Sequence, residues 1–285
     1  MPAPNQSTIA MRPVERFLAA LAALDRGTIE EVRVAVVVAH PDDESIGIGG
    51  QLRRLGNVLI VVVTDGAPRD DDYARSQGFD GWRDYSTARG RELESALAAA
   101  GIAGEGIVRL DIADKSAAFN LAGIARALAD ILLERRVEIV VTQPYEGGHP
   151  DHDATAFAVR GAAGLLVRAG EPAPSIVEMT SYYPVRTGLA RQRFVPEPGC
   201  PETIVPLSAD ALGVKQSMFA AHRSQAAQLA LFTATDERFR RAPEYDFTVP
   251  ANRGLVHYHQ TVPGLTSERW CRLALDALNE LGLGG

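Results

Sequence analysis

The chain has 285 residues, enough for a sizeable core, and its 46% hydrophobic and 23% charged residues are the balance of an ordinary globular fold. A formal net charge of -7 argues against nucleic acid as a partner, because a phosphate-binding surface needs a basic excess. No apolar run approaches the ~20 residues that span a bilayer, and Cys200 and Cys271 stand alone without C-x-x-C spacing, which fits a reducing cytoplasm.

Residues 13–25 read as a first helix, with proline near its start and Phe17, Leu21 and Leu24 on one face. Arg12, Glu15 and Arg16 put charges of both signs before that apolar run, which separates it from a secretory signal. Residues 32–39 read as the first strand, and their unbroken apolar run over 34–39 is the pattern of a strand buried on both faces of a parallel sheet. A crossover helix is expected over 46–55 and a second buried strand over 58–64, ending in Asp65-Gly66. Together they make a right-handed βαβ unit.

Residues 67–86 break the pattern. They are acidic and glycine-containing, and are expected to be irregular: either a lid or specificity loop, or a solvated excursion anchored by Trp82. A helix over 87–100 follows, with Leu93, Ala96, Leu97 and Ala100 in a stripe and Gly101 at its end. Then come a short strand at 107–110, a helix over 119–135, a strand at 137–142 and a small-residue helix over 153–169. The remainder reads as a fifth strand within 175–183, a proline-rich connector at 196–201, one or two helices over 210–231, a strand at 256–260 and a closing helix over 267–281.

Chemistry concentrates at two strand ends. His40-Pro41-Asp42-Asp43-Glu44 follows the first strand, and His149-Pro150-Asp151-His152 follows the fourth. In open α/β sheets ligands bind at the carboxyl ends of strands. Clustered carboxylates repel one another unless a cation or shared protons neutralise them. Pro150 starts a helix that puts His149 and His152 on one face. Two imidazoles and a carboxylate suit zinc, with iron(II) as a near substitute, and a catalytic zinc keeps an open position. Of Asp42 and Asp43, one is then free to take a proton from water; of His149 and His152, one is free to act as acid or to stabilise an oxyanion. Gly47-Ile48-Gly49-Gly50 does not complete a dinucleotide fingerprint, whose third glycine would fall at Leu52, and no G-x-S-x-G is present. His257 and His259 alternate on the expected strand, without an accompanying carboxylate, and His222 reads as a packed or surface histidine.

These motifs, with Thr64-Asp65-Gly66, resemble the PIG-L/LmbE-like zinc deacetylases over roughly residues 34–169. The resemblance implies His40, Asp43 and His152 as zinc ligands, Asp42 as general base, His149 as acid and electrostatic partner of the tetrahedral intermediate, and Asp151 as support for a histidine. Arg89, in an R-x-x-E helix with Glu92, and Asp114 match positions that touch sugar hydroxyls in members of the family. Several sugar-deacetylating members carry a tyrosine where this chain has Gly147, so either Tyr145 reaches in from a different angle as a substrate contact or oxyanion stabilisation rests on zinc and His149 alone.

The implied fold is a Rossmann-like, mostly parallel α/β sheet with helices on both faces. The expected division is a lead-in at 1–31, a catalytic core at 32–185, and a C-terminal α+β extension at 186–285 packing on the core. The implied substrate is an acylated amine on a sugar-linked small molecule, and some members form homo-oligomers. An amidase acting on a thiol-sugar conjugate, a metal-binding scaffold without turnover, and a two-metal phosphoesterase are the competing expectations.

Overall fold

A computed structural model describes residues 12–23, 27–233 and 235–284. α1 (Pro13–Ala22) buries Val14, Phe17 and Leu21; its expected last turn, at Leu24 and Asp25, lies outside the described residues. β1 (Val34–Val38) is buried at every position, and α2 (Asp43–Ile48) starts among the carboxylates rather than at residue 46. A 3-10 turn at Leu52–Arg54 leads to β2 (Val58–Thr64), also buried throughout.

The acidic stretch expected to be irregular is largely helical. Asp70 caps α3 (Asp71–Ser76) by accepting from the N–H groups of Asp72 and Tyr73, and α4 (Trp82–Ala99) begins five residues before the expected 87. Aspartates read as turn formers, yet at an N-cap and in a first turn they favour a helix.

β3 (Ile107–Ile112), α5 (Leu121–Glu134), β4 (Ile139–Thr142) and α6 (Pro150–Arg168) complete the alternating part. The expected fifth strand is two strands. β5 (Ser175–Met179) stays in the main sheet, while β6 (Tyr182–Val185) leaves it and pairs antiparallel with β7 (Gly188–Arg191). β8 (Thr203–Pro206), α7 (Ala209–Ala221), α8 (Ala226–Leu229) and β9 (Asp236–Arg241) follow. The strand expected over 256–260 is instead a helical turn, α9 (Tyr258–Thr261), so His257 and His259 do not alternate on a strand. α10 (Ser267–Leu281) has its expected bounds, set by the Thr266 hydroxyl at one end and by Gly282, at a φ of 68°, at the other.

The seven-stranded sheet runs β3-β2-β1-β4-β5-β9-β8. Its first five strands are parallel, and β9 runs antiparallel to both β5 and β8. α5, α6 and α10 bury one face against Ala35, Val37, Val61 and Val140; α1, α2, α4 and α7 bury the other against Val36, Val38, Ile60 and Ile139. The chain moves outward from β1 through β2 to β3, then returns to place β4 on the other side of β1. The loops after β1 and β4 therefore diverge at the switch point of the sheet, where a crevice opens. Both His-Pro-Asp motifs sit there.

Candidate active site

The ends of β1 and β4 are tied together before the motifs begin. The Thr142 hydroxyl donates to the Val37 carbonyl at 2.8 Å, and Ala39 N–H donates to the Gln143 side-chain oxygen at 2.9 Å. His40 N–H then donates to Asp43 Oδ2 at 2.8 Å, closing the first motif on itself. Asp42 is left at a φ of 145°, a region that L-residues rarely enter, and strain of this kind clusters at working sites. Two neighbours hold it there. Glu44 Oε2 accepts the Asp42 N–H at 3.1 Å, and Arg89 donates to the carbonyls of Pro41 and Gly66 while its Nη2 lies 3.2 Å from Asp42 Oδ2.

Asp43 lies between two imidazoles. Its Oδ2 is 3.2 Å from His40 Nδ1, and its Oδ1 is 3.4 Å from His152 Nε2. His149 caps α6 by accepting the Asp151 N–H on Nδ1, which leaves the ring proton on Nε2 when the imidazole is neutral. Its ring centre is 4.6 Å from that of His40 and 5.4 Å from that of His152. Asp151 is fully buried and accepts from the N–H groups of Lys115 and Ala117, drawing the loop after β3 into the site. Its Oδ2 is 3.5 Å from His40 Nε2, and Asp114 Oδ1 is 3.0 Å from the same nitrogen. The histidine nearest the Asp151 carboxylate is thus His40.

Burial pushes Asp42 up to about 6, against the pull of Arg89. Burial also works to raise Asp43, but the imidazoles of His152 and His40 hold it well below the usual carboxylate range. His149 is pushed well below the ordinary imidazole value by burial and by its like neighbours His40 and His152. Two carboxylates on adjacent residues therefore differ in proton affinity, and the third imidazole rests neutral.

A divalent cation fits this donor set. One nitrogen from each of His40, His149 and His152 lies within 4.8 Å of the others, and His40, Asp114 and Asp151 form a second, overlapping group. His40 Nε2 and Asp114 Oδ1 are buried without a hydrogen-bond partner despite their proximity. Mixed imidazole and carboxylate donors are those of zinc or iron(II).

A pocket of about 290 Å³ is lined by His40, Asp42, Asp43, Arg89, Asp114, His149 and His152. A larger cleft of about 560 Å³, between α1, α6 and α10, is lined by no histidine, aspartate or cysteine. Asp151 lies behind the pocket. Tyr145 is turned away from it: the ring packs against Phe247, Trp270 and Tyr245, and its hydroxyl donates to the Val249 carbonyl. The expectation that Tyr145 touches substrate is therefore corrected; its apolar body belongs to the core. Gly147 has a φ of 77°, and a Cβ there would come within 2.9 Å of the Val256 side chain, so a tyrosine at that position would be strained.

Three tyrosines line the pocket, Tyr73, Tyr85 and Tyr182 of β6, and the ring centre of Tyr182 is 5.1 Å from that of His152. Sequence reasoning missed Tyr182 together with Arg191 and Phe232. The signal available was a hairpin pattern, Tyr182-Tyr183-Pro184-Val185 and Gly188-Leu189-Ala190-Arg191 flanking a two-residue turn. His222 is fully buried between Glu44 and Ser45, whereas His257 lines the pocket.

Residues 35–163 match the family model described as PIG-L: GlcNAc-PI de-N-acetylase. The chain is 28% identical over 200 residues to a probable N-acetyl-alpha-D-glucosaminyl L-malate deacetylase 2 of Bacillus cereus, a match covering 68% of this chain and 84% of that protein. It is 31% identical over 177 residues to a 1D-myo-inositol 2-acetamido-2-deoxy-alpha-D-glucopyranoside deacetylase 2 of Saccharopolyspora erythraea, covering 51% of this chain and 64% of the relative, just under two thirds of its length. The fold resembles that of the zinc-inhibited form of teicoplanin deacetylase Orf2, with a TM-score of 0.56 at 16% identity, over 75% of this chain and 100% of that one. No helix among the described residues is long and apolar enough to cross a membrane. The two motif loops at the switch point fall within the span that matches the family model.

Proposed function

We propose that the chain is a metal-dependent hydrolase that removes an acetyl group from an amino sugar carried on a small molecule. One observation carries the reading: Asp42, His149 and the donors His40, Asp43 and His152 converge on one pocket from two separate strands. Relatives named as deacetylases of N-acetylglucosaminyl conjugates support the bond and the sugar.

His40, Asp43 and His152 would hold zinc, with iron(II) as a substitute. When bound, the ion supplies a Lewis acid for the amide carbonyl and a lowered pKa for an attacking water. Asp42 takes the proton from that water; burial gives it the affinity a general base needs, and Arg89 fixes its direction. His149, neutral with its proton on Nε2, hydrogen-bonds to the oxyanion that forms at the carbonyl, and the proton taken up by Asp42 passes to the departing amine. Asp151 and Asp114 keep His40 oriented. Acetate and the free amino sugar leave.

The test is Asp42→Asn, assayed by acetate release from N-acetylglucosaminides with metal content measured in parallel. Release should fall by roughly 100- to 10,000-fold while bound metal stays at the wild-type level. Full turnover in that variant would remove Asp42 from the mechanism. A wild-type protein that binds metal yet releases no acetate from any acetylated amino sugar would overturn the deacetylase reading.

A further inference from the structure

Three carboxylates line the pocket, and each already has a cationic or imidazole neighbour: Asp42 has Arg89, Asp43 has His40 and His152, and Asp114 has His40. Two cations in the same lining have none. Arg191 and Lys115 make no ion pair among the described residues. Both are half-buried. Arg191 donates only to the Leu189 carbonyl at 3.4 Å, and Lys115 Nζ lies 4.8 Å above the Tyr73 ring.

Arg191 is reached from the metal donors along one wall of rings. His152 meets Tyr182 at 5.1 Å, Tyr182 meets Phe232 at 6.4 Å, and the Arg191 guanidinium stands 6.0 Å from the Phe232 ring. The register of the hairpin pairs Tyr182 directly with Arg191, so the near and far ends of this wall are built as one unit. A sugar ring held at the amide spans about one such step. Arg191 stands two ring contacts further along the wall, on the side toward whatever the sugar is attached to. Lys115 sits at a φ of 68°, strained for a lysine, because its N–H is drawn to Asp151; its side chain is thereby committed to the pocket. In a chain of net charge -7, two cations without a carboxylate partner in one pocket are a local arrangement rather than a general attraction for anions.

We infer that the molecule deacetylated here carries an anionic group, a carboxylate or a phosphate, on the part attached to the sugar, and that Arg191 binds it with Lys115 in support. The guanidinium offers a planar fork to either anion, and partial burial strengthens the bond. The inference rests on the deacetylase reading and narrows its substrate class to acidic conjugates.

The experiment compares three N-acetylglucosaminides, one with a neutral polyol attached, one with a carboxylic acid and one with a phosphorylated polyol. Acetate release is measured with wild type, R191Q, R191K and K115Q. Wild type should favour an acidic conjugate over the neutral one by roughly 10- to 100-fold in kcat/KM, expressed mainly in KM. R191Q should collapse that ratio, R191K should keep part of it, and K115Q should reduce it less. Whichever acid shows the larger ratio names the anion. A parallel arm titrates the same conjugates into metal-loaded D42N protein by calorimetry, where the acidic conjugate should bind more tightly and lose that advantage as salt rises. If no conjugate is deacetylated, the deacetylase reading fails while the binding arm still decides this inference. Equal kcat/KM and equal Kd for acidic and neutral conjugates, or an acid preference that survives R191Q, would overturn it.

Discussion

The parallel half of the sheet and the antiparallel half do different work with opposite means. β1, β2 and β4 are apolar but for the threonines that close β2 and β4, and the ionisable groups appear only past their last residues, in the loops at the switch point. β9 carries charge within the strand itself, as Asp-Glu-Arg-Phe-Arg-Arg, and several of those charges are buried. Arg240 pairs with Glu178 and Glu146, and Glu237 pairs with Lys215, which also donates to the Ile46 carbonyl. β1, β2 and β4 are inert supports, and reactivity is confined to the loops at their ends. In the second half the ion pairs are the packing, and through Glu146 and α2 they fasten the reactive loops from behind. Polar residues that look alike in sequence thus divide into those that act on a ligand and those that hold the frame.

Losing a donor at the edge should have the largest effect, and it should fall on the ion rather than the fold. His152→Ala is expected to lower metal affinity by at least ~100-fold, read by metal analysis after dialysis, while the far-UV spectrum stays native. A variant that lost its secondary structure would break the comparison, because the edge would then be part of the frame. The converse test is Arg240→Met. It leaves Glu146 and Glu178 buried without their guanidinium and should cost about 3–5 kcal/mol in denaturant unfolding. At a temperature where it is folded, its kcat for acetate release should stay within a few-fold of wild type. A loss of kcat as deep as that expected for D42N would merge the two halves into one functional unit.

The smallest effect sharpens the boundary between them. His222 of the frame lies 3.4 Å from Glu44, which in turn holds the Asp42 N–H. Burial works against the charge on His222, but Glu44 prevails and raises its pKa above the usual 6.5. A raised folded value stabilises the protein below the unfolded pKa and loses that stabilisation as pH climbs through the folded one. The unfolding free energy of wild type over His222→Gln should therefore be larger near pH 6 than near pH 8. A gap that widened toward alkaline pH would show that His222 is held neutral.

How much could be read from the sequence follows the same division. Strands buried on both faces leave continuous apolar runs, so β1, β2 and β4 were legible, and so was the meeting of His40 with His149 and His152. α10 was legible because Thr266 and Gly282 mark its ends. β9 was hidden by its own composition, since Arg240 and Glu237 read as solvated until their partners, distant in sequence, are known. α3 was hidden because three consecutive aspartates suggest a loop until one of them is seen to cap a helix. Tyr145 was misplaced because its distance from His149 in sequence says nothing of which way the ring turns at Gly147.

The β6–β7 hairpin shares no ladder with the seven-stranded sheet. Its turn can therefore be lengthened, shortened or exchanged without unzipping any pairing on which the hydrolytic end depends. A lineage or a designer can edit this arm, residues 182–191, while the ladder beneath it stays paired.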